Sequence, residues 1–246
     1  MPFDTLDLAR LRFAGAVTVG QALRRCNVGV ARQNEAAQCV VDYLYKTFRD
    51  PETGLPSCAL VRVFQTHPYA DLPVGWQDAA RVLGADESVS SLRCLALLAS
   101  RGDEAAWNQP ETSVNHQAIP LPTVAMVEQA PMISQLLAQM GIEARDVVGP
   151  KILLDAPKHA FNVFHVETAM GSEYLPAQQT FVERYGIRSV VGMGGVLPSG
   201  EHFAVILFSK VTVSREVAEL FRTLALSVKL AFLPYAPEKV FSEHKT

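Results

Sequence analysis

The strongest constraint on the fold of this chain comes from two apolar segments joined by a tight turn. A stretch with helical periodicity follows them at once. The segments cover residues 189–196 and 202–208, and the turn between them contains Pro198-Ser199-Gly200. Short apolar runs on either side of such a turn predict a buried β-hairpin. Apolar residues then recur every three or four positions, which predicts an amphipathic helix that has Ser214 as its N-cap and ends at Pro234.

The rest of the chain alternates segments of helical periodicity with short apolar runs. Helices are predicted over 16–48, 75–83, 123–140 and 176–185, and strands over 57–65, 92–100, 114–121 and 161–167. Gly29 is a predicted break in the first helix, and Gly141 is a predicted helix end. No linker, repeat or low-complexity segment interrupts this order. We therefore expect a single domain over residues 16–234, with an N-terminal arm before it (1–15) and a polar tail after it (235–246).

Composition narrows the class of molecule. Apolar residues make up 49% of the 246 positions and charged residues 19%, which argues against wholesale disorder. The net charge of −3 gives no overall attraction for nucleic acid, and no window approaches the roughly 20 consecutive apolar residues that span a bilayer. The N-terminus lacks a signal pattern, and the cysteines form no CxxC pair; they are Cys26, Cys39, Cys58 and Cys94. These features predict a cytoplasmic protein with reduced thiols that binds neither nucleic acid nor membrane.

From Tyr43 to Leu233, the order of helices and strands resembles the GAF domain family. The resemblance is most specific at the end, where the helix 176–186 is followed by the hairpin and the long amphipathic helix. It implies an α+β fold with a central antiparallel sheet of about five or six strands. The N- and C-terminal helices would cover one face of that sheet, and a ligand pocket would lie on the other. The segments 76–122 and 142–159 are longer than in a typical member.

The resemblance also implies a function. GAF-like domains usually sense small molecules or hold regulatory dimers together. Because the sequence contains no kinase glycine box and no GGDEF-type loop, we expect a sensory or regulatory domain that signals to a separate output protein, such as a kinase or a cyclase. Second apolar pairs on the terminal helices, Val41 with Tyr45 and Leu226 with Leu230, predict a homodimer that forms through these helices.

Six residues are candidates for contact with a small ligand. They are Trp107, His116, Phe164, His165, Tyr174 and Met193. Trp107 is an aromatic residue in a polar segment, where it either covers a pocket or caps the edge of the core. Tyr174 precedes the 176–186 helix, where GAF-like folds often line their pocket, although a surface tyrosine packed on its stem is the alternative.

The two histidines among these candidates each have two interpretations. His165 lies in an alternating apolar strand, so it either binds a ligand, haem or a metal, or is a core histidine bonded to the backbone. His116 has the same two interpretations. No histidines stand at HxH or HxxxH spacing, so a haem or metal site has no support from the spacing, and the identity of a cofactor or ligand stays open.

Other chemistry has weaker support. The glycines between 192 and 195 follow a strand, but Leu197 stands where GxGxxG needs its third glycine and a second strand follows, which argues against dinucleotide binding. These glycines more plausibly allow sheet bending or the close approach of another element. The carboxylates of Asp103, Glu104 and Glu111 have no visible partner for acid–base work.

Two alternatives to the sensory hypothesis remain. Some GAF-like proteins reduce methionine sulfoxide with a cysteine cluster, so a thiol-dependent redox enzyme is one alternative, although the cysteines are also explained as small buried apolar residues. The other is a dimeric scaffold that fills its pocket with its own side chains and binds no ligand. A structure without a cavity near His165 and Trp107 would favour the scaffold.

Overall fold

A computed structural model describes residues 5–86, 88–113, 116–149, 162–235 and 240–241. The α-helices are α1 (Phe13–Leu23), α2 (Gln33–Thr47), α3 (Val74–Val82), α4 (Val124–Gln129), α5 (Pro131–Met140), α6 (Ala144–Val147) and α7 (Arg215–Phe232). The strands are β1 (Cys58–Pro68), β2 (Arg93–Gly102), β3 (Ala118–Leu121), β4 (Val163–Val166), β5 (Ser189–Val196) and β6 (His202–Ser209). Three 3₁₀ turns (Tyr69–Asp71, Ala105–Trp107, Pro110–Thr112) and a π-helix (Gln178–Glu183) complete the description.

The strands form one antiparallel six-stranded sheet in the order β3-β2-β1-β6-β5-β4. The central strand β1 pairs with β2 on one side and with β6 on the other, so the two ends of the domain meet in the middle of the sheet. A bulge between Val63 and Phe64 shifts the register against β2. The predicted α+β class with a central antiparallel sheet of five or six strands is confirmed.

The predicted hairpin is confirmed as β5 and β6, which pair from Ser189 opposite Ser209 to Val196 opposite His202. Gly194 explains why glycines occur in β5. A Cβ atom there would collide with the carbonyl oxygen of Phe203 and would approach the Met140 methyl to 3.0 Å. The sequence is therefore glycine-rich here because neighbouring elements come close, and the interpretation as close approach is confirmed at this position.

The helices α1, α2 and α7 cover one face of the sheet. Their apolar stripes pack on strand residues of that face and form the larger core, which includes Val40, Leu44, Phe221, Leu224 and Val228. Ser214 caps α7, because its hydroxyl accepts a hydrogen bond from the backbone N–H of Val217 at 3.3 Å. The predicted placement of the N- and C-terminal helices on one face is confirmed.

The opposite face carries a second core beneath α4, α5, α6 and the π-helix. Leu137 and Met140 of α5 and Val182 of the π-helix pack there against side chains that include Phe164 and Ile206. Gly141 ends α5 in a left-handed conformation, with φ of 69°, as predicted. The sheet is thus buried on both faces, by long helices on one and by short segments on the other.

Several predicted boundaries differ from the structure. The predicted helix 16–48 is two helices, α1 and α2, and Gly29 lies between them with φ of 82°. The predicted helix 176–185 is a π-helix that begins at Gln178, whose side-chain amide donates to the carbonyl of Leu175 at 2.8 Å. The predicted strands 114–121 and 161–167 are shorter in the structure, and positions 114, 115 and 161 lie outside the described residues.

Both terminal segments pack on the domain where they are described. The backbone of Leu6 bonds to Thr47 and Arg49 at the end of α2, at 2.9 and 3.0 Å. Near the other end, Val240 is buried, and the ring of Phe241 lies 4.8 Å from that of Trp76. Among the described residues, no helix combines the length and the apolarity that crossing a membrane requires.

Candidate functional site

An apolar cavity of about 30 Å³ lies on the face of the sheet opposite α1, α2 and α7. Its walls come from α5, the residues after it and the strands β1, β2, β3 and β6, including Leu95, Leu121, Leu136 and Met140. In the present packing it has room for a water molecule or two. Strands form one side of it and the short helices α5 and α6 the other, and these helices are the elements of this face that can shift with the least loss of packing.

Nearly all of the cavity lining is apolar, but two polar residues, Thr66 of β1 and His202 of β6, border one end, which we call its polar end. The hydroxyl of Thr66 donates to the carboxylate of Glu201 at 2.7 Å. It also accepts from the guanidinium of Arg93 at 3.1 Å and from the backbone N–H of His202 at 2.9 Å. Arg93 in turn donates to Glu201, and both side chains are buried. The polar end is therefore held in place by a buried ion pair that joins the start of β2 to the hairpin turn.

Phe203 connects the cavity to the opposite face of the sheet. It borders the cavity, but its side chain belongs to the core on the opposite face, where its ring packs against that of Phe232 at the end of α7, with centroids 5.7 Å apart. The next residue, Ala204, also lines the cavity. A change in the packing of the cavity therefore has a direct contact through which it can reach the C-terminal helix.

A buried arginine lies on the same face, elsewhere on β1. Arg62 is 6% exposed, and its Nη2 donates to the hydroxyl of Ser113 at 2.7 Å. Among the described residues, its Nε has no hydrogen-bond partner, and burial lowers the pKa of Arg62 to about 10. Opposite it on β2, Ser100 is fully buried, and within the same part of the chain its hydroxyl also has no partner. Neither residue is among the six candidates predicted from the sequence, although an arginine inside the apolar run 57–65 is a signal for this site.

Three of the six predicted site residues lie on the cavity side of the sheet. Phe164 is fully buried in the second core, and Tyr174 and Trp107 pack against that core while half-buried. The ring of Trp107 lies 4.5 Å from that of Tyr185 and 5.8 Å from that of Phe181. These contacts cap the edge of the core, and none of the three residues lines the cavity described above.

The other three predicted residues are elsewhere. His165 points to the opposite face, where its Nε2 donates to the carbonyl of Val213 at 2.8 Å, as in the core-histidine alternative. Met193 is fully buried in the core beneath the terminal helices, and His116 is exposed in the loop before β3. The six residues therefore do not form one constellation. Neither His165 nor Trp107 lines the cavity, which is the arrangement expected of the scaffold, and the role of the six residues in ligand binding stays a prediction.

Comparison with solved structures identifies the architecture. The X-ray structure of a free methionine-R-sulfoxide reductase from Neisseria meningitidis, in complex with its substrate, matches with a TM-score of 0.50. The identity is 10%, and the match covers 94% of this chain and 95% of that one. The chain has a GAF-like fold.

Two phytochrome structures match less closely. The phycoerythrobilin-bound GAF domain of a cyanobacterial phytochrome has a TM-score of 0.41 and 10% identity, with coverage of 92% of this GAF-like chain and 98% of that domain. A bacteriophytochrome from R. palustris has a TM-score of 0.39 and 11% identity, with coverage of 91% and 38%. No family model matches the sequence. No curated protein matches it either.

The cysteines of this GAF-like domain lie in three separate places. The thiols of Cys26 and Cys39 contact each other beside α1 and α2, where their hydrogen bond raises the pKa of Cys26 and lowers that of Cys39. Burial raises the pKa of Cys58 and of Cys94 to about 12. None of the four lines the cavity. Within the described ranges, no three His, Cys, Asp or Glu side chains converge on a point that could hold a metal ion.

Proposed function

We propose that this chain is a regulatory GAF-like domain that binds a small molecule and passes the signal through its terminal helices to another protein. One observation carries the proposal. The apolar cavity with a polar end lies on the face of the sheet opposite the terminal helices. Concave apolar sites with a few convergent polar groups are the usual form of small-molecule sites.

We infer the outline of the ligand from this lining. Leu136 and Met140 would contact its apolar body. The Thr66 hydroxyl already donates to Glu201 and accepts from Arg93 and His202, so a polar group of the ligand would replace one of these bonds. Because the cavity now has water-sized volume, binding requires an outward shift of α5 and the segment after it. The ligand would select the shifted packing, so its effect is a population shift between two arrangements of this face.

Phe203 would carry the shift across the sheet. It borders the cavity and also packs on Phe232 of α7, so a displaced Phe203 alters the position of the C-terminal helix on the sheet. We expect the changed position of α7 to be the output. This route passes through the β6 backbone at Phe203 to the ring pair on the opposite face, and it requires no change in the order of the strands.

The output surface would be a homodimer interface on α1 and α7. Leu226 and Leu230 are 41% and 38% exposed, and Phe13 and Val17 of the adjacent α1 are also exposed. The α2 part of the predicted interface has less to contribute. Val41 is fully buried in the protein's own core, and Tyr45 bonds to Asp103 at 2.6 Å.

A screen of small metabolites by thermal denaturation tests the ligand site. The L136W substitution fills the cavity, whereas L136M conserves volume and serves as the matched control. A true ligand raises the melting temperature of the wild type and of L136M, and has no effect on L136W. If no compound acts, or if the increase persists in L136W, the cavity is not a ligand site and the scaffold alternative gains support.

An absorption spectrum tests whether the protein binds haem. A Soret band in the absorption spectrum of protein purified from its native host would indicate haem. Variants H165Q and H116Q would then identify the ligating side chain. A spectrum without visible bands would leave a colourless metabolite as the ligand class.

A thiol-dependent redox enzyme is the second candidate. The likeness in fold to the methionine-R-sulfoxide reductase and the contact between Cys26 and Cys39 favour it. However, this pair lies among the terminal helices, on the side of the sheet away from the cavity. Reduction of free methionine-R-sulfoxide, measured for the wild type and the four Cys→Ser variants, decides the matter. Absence of activity, or equal activity in all four variants, would reject this candidate.

A further inference from the structure

Arg62 is a charged side chain in an apolar environment. Its neighbours on the same face of β1 are Leu60 and Phe64, and Ile206 lies opposite it on β6. Its guanidinium donates a hydrogen bond to a neutral hydroxyl, that of Ser113. Among the described residues, no carboxylate forms an ion pair with it. A buried guanidinium without a counter-charge destabilises a fold, so its presence needs a reason other than stability.

The unused hydrogen-bonding atoms form a group. The Nε of Arg62 and the hydroxyl of Ser100 are both buried and have no partner in the part of the chain that the structure describes, and the two residues are directly opposite on paired strands. Nε and Nη2 form one edge of the guanidinium, the edge that binds two oxygens of a carboxylate or phosphate side by side. At present Nη2 is occupied by the hydroxyl of Ser113, and Nε is not occupied.

We propose that Arg62, with Ser100 and Ser113, forms a binding site for a small oxyanion, the carboxylate or phosphate group of a ligand, beneath the segment 103–113. The anion bonds to the Nε–Nη2 edge of Arg62, with Nη2 turning from the Ser113 hydroxyl to the second oxygen. The Ser100 hydroxyl donates to the anion. The anion supplies the missing negative charge, so the site is complete only when it is bound.

The segment above Arg62 forms a cover that is held by its own contacts. Ser113 follows a 3₁₀ turn, and the hydroxyl of Thr112 donates to the carbonyl of Ala106 at 2.7 Å. Trp107, in the same segment, packs against Tyr185. Short 3₁₀ turns have few internal hydrogen bonds, so this cover can open at lower cost than the strands below it. The environment of Trp107 therefore reports on events at Arg62.

A purely structural role for Arg62 is the competing explanation, in which its bond to Ser113 fastens the cover. The two explanations predict opposite effects of R62M. If Arg62 is a fastener, the loss of the bond lowers the melting temperature. If Arg62 is an unpaired binding residue, removal of the buried charge leaves the melting temperature unchanged or raises it when no oxyanion is present.

The experiment measures thermal denaturation of the wild type, R62M and R62K in sodium phosphate, sodium acetate and sodium chloride at equal ionic strength. At an anion concentration of about ten times the dissociation constant, we expect phosphate or acetate to raise the wild-type melting temperature by about 3 °C over chloride. R62M should show none of this specific increase. Because general salt effects act on R62M as well, this variant is also the control for them. R62K retains less than half of it, because lysine lacks the planar fork.

Two further readouts complete the test. The indole ¹H–¹⁵N signal of Trp107, assigned with W107F, shifts on titration with the active anion in the wild type and not in R62M. The cavity-filling variant L136W keeps the anion response, so failure of the cavity proposal and failure of this one are distinguishable. Equal anion effects in the wild type and R62M would overturn the proposal, as would no oxyanion-specific effect in the wild type. A response to phosphate alone identifies a phosphate ligand, and a response to acetate identifies a carboxylate ligand.

Discussion

Arg93 at the start of β2 and Glu201 at the end of the hairpin turn form a buried ion pair, although 108 positions separate them in the sequence. Both side chains are only 7% exposed, and the hydroxyl of Thr66 bonds to each of them. The pair joins the hairpin turn to β2 across the end of β1. It therefore fixes the polar end of the cavity and the register of three strands together.

Removal of one partner of this pair should be strongly destabilising. In E201Q, the guanidinium of Arg93 stays buried without a counter-charge, so we expect a loss of about 3–5 kcal/mol in the free energy of unfolding. Urea denaturation measures the loss. The double variant R93M/E201L removes both charges and should recover most of the stability. If E201Q loses less than about 1 kcal/mol in the free energy of unfolding, water can replace the missing carboxylate, which would contradict this prediction.

The hairpin, α7 and the end of α5 were predictable because their signals are local. The turn at 198–200, the hydroxyl of Ser214 and the periodicity after it act on residues that are close in sequence, so the pattern specifies the structure directly. Gly141 likewise ends α5 through its own backbone conformation. The GAF-like architecture followed from the order of such elements, since that order leaves few ways to bury the apolar faces.

The site was less predictable because it depends on which face of the sheet each strand presents and on long-range pairing. The alternation in β4 correctly separates Phe164 from His165, but nothing in the sequence states that His165 faces the terminal helices, where it bonds to Val213. Arg62 and Ser100 are opposite only because β1 and β2 pair in one register. The structural importance of Glu201 likewise arises from its contact with a distant arginine.

Alanine at position 194 should disturb the hairpin. Its Cβ would collide with the carbonyl of Phe203, so β5 and β6 must separate, and we expect a loss of about 1–3 kcal/mol in the free energy of unfolding. The control is G75A, because a Cβ there meets no atom within 4 Å and alanine favours the helix α3. G75A should be neutral or slightly stabilising. Guanidinium denaturation of both variants measures the difference, and equal stabilities would contradict the close-approach explanation.

Cys39 should be the most reactive thiol of the native protein. It is exposed, and the hydrogen bond from Cys26 lowers its pKa, whereas Cys58 and Cys94 are buried and have a pKa of about 12. We expect iodoacetamide at pH 8 to label Cys39 at least tenfold faster than Cys58 or Cys94. Peptide mass spectrometry over time measures the rates. In urea all four cysteines should react alike, and preferential labelling of Cys58 in the native protein would contradict the structure.

The buried thiols also predict an alkaline loss of stability. In the unfolded chain the cysteine pKa is near 9, and in the folded protein that of Cys58 and Cys94 is about 12, so the folded state binds more protons between these values. Stability is therefore unaffected by these thiols below pH 9. It falls as the pH rises from 9 to 12, by at most about 1.4 kcal/mol per pH unit for each cysteine. Urea denaturation at pH 8 and pH 10 should show a smaller fall for C58A/C94A than for the wild type.

The exposed leucines of α7 should hold two subunits together. Leu226 and Leu230 lie one helical turn apart and are 41% and 38% exposed, so L226E/L230E places two charges in the proposed interface. We expect the wild type to be dimeric and the double variant to be monomeric, with a dissociation constant raised at least a hundredfold, about 2.7 kcal/mol. The control is V82E, because Val82 is 81% exposed on α3, away from the terminal helices. Analytical ultracentrifugation at several concentrations measures the assembly. If the wild type stays monomeric when its concentration is raised 100 times, the output surface lies elsewhere. The same conclusion follows if the double variant remains dimeric.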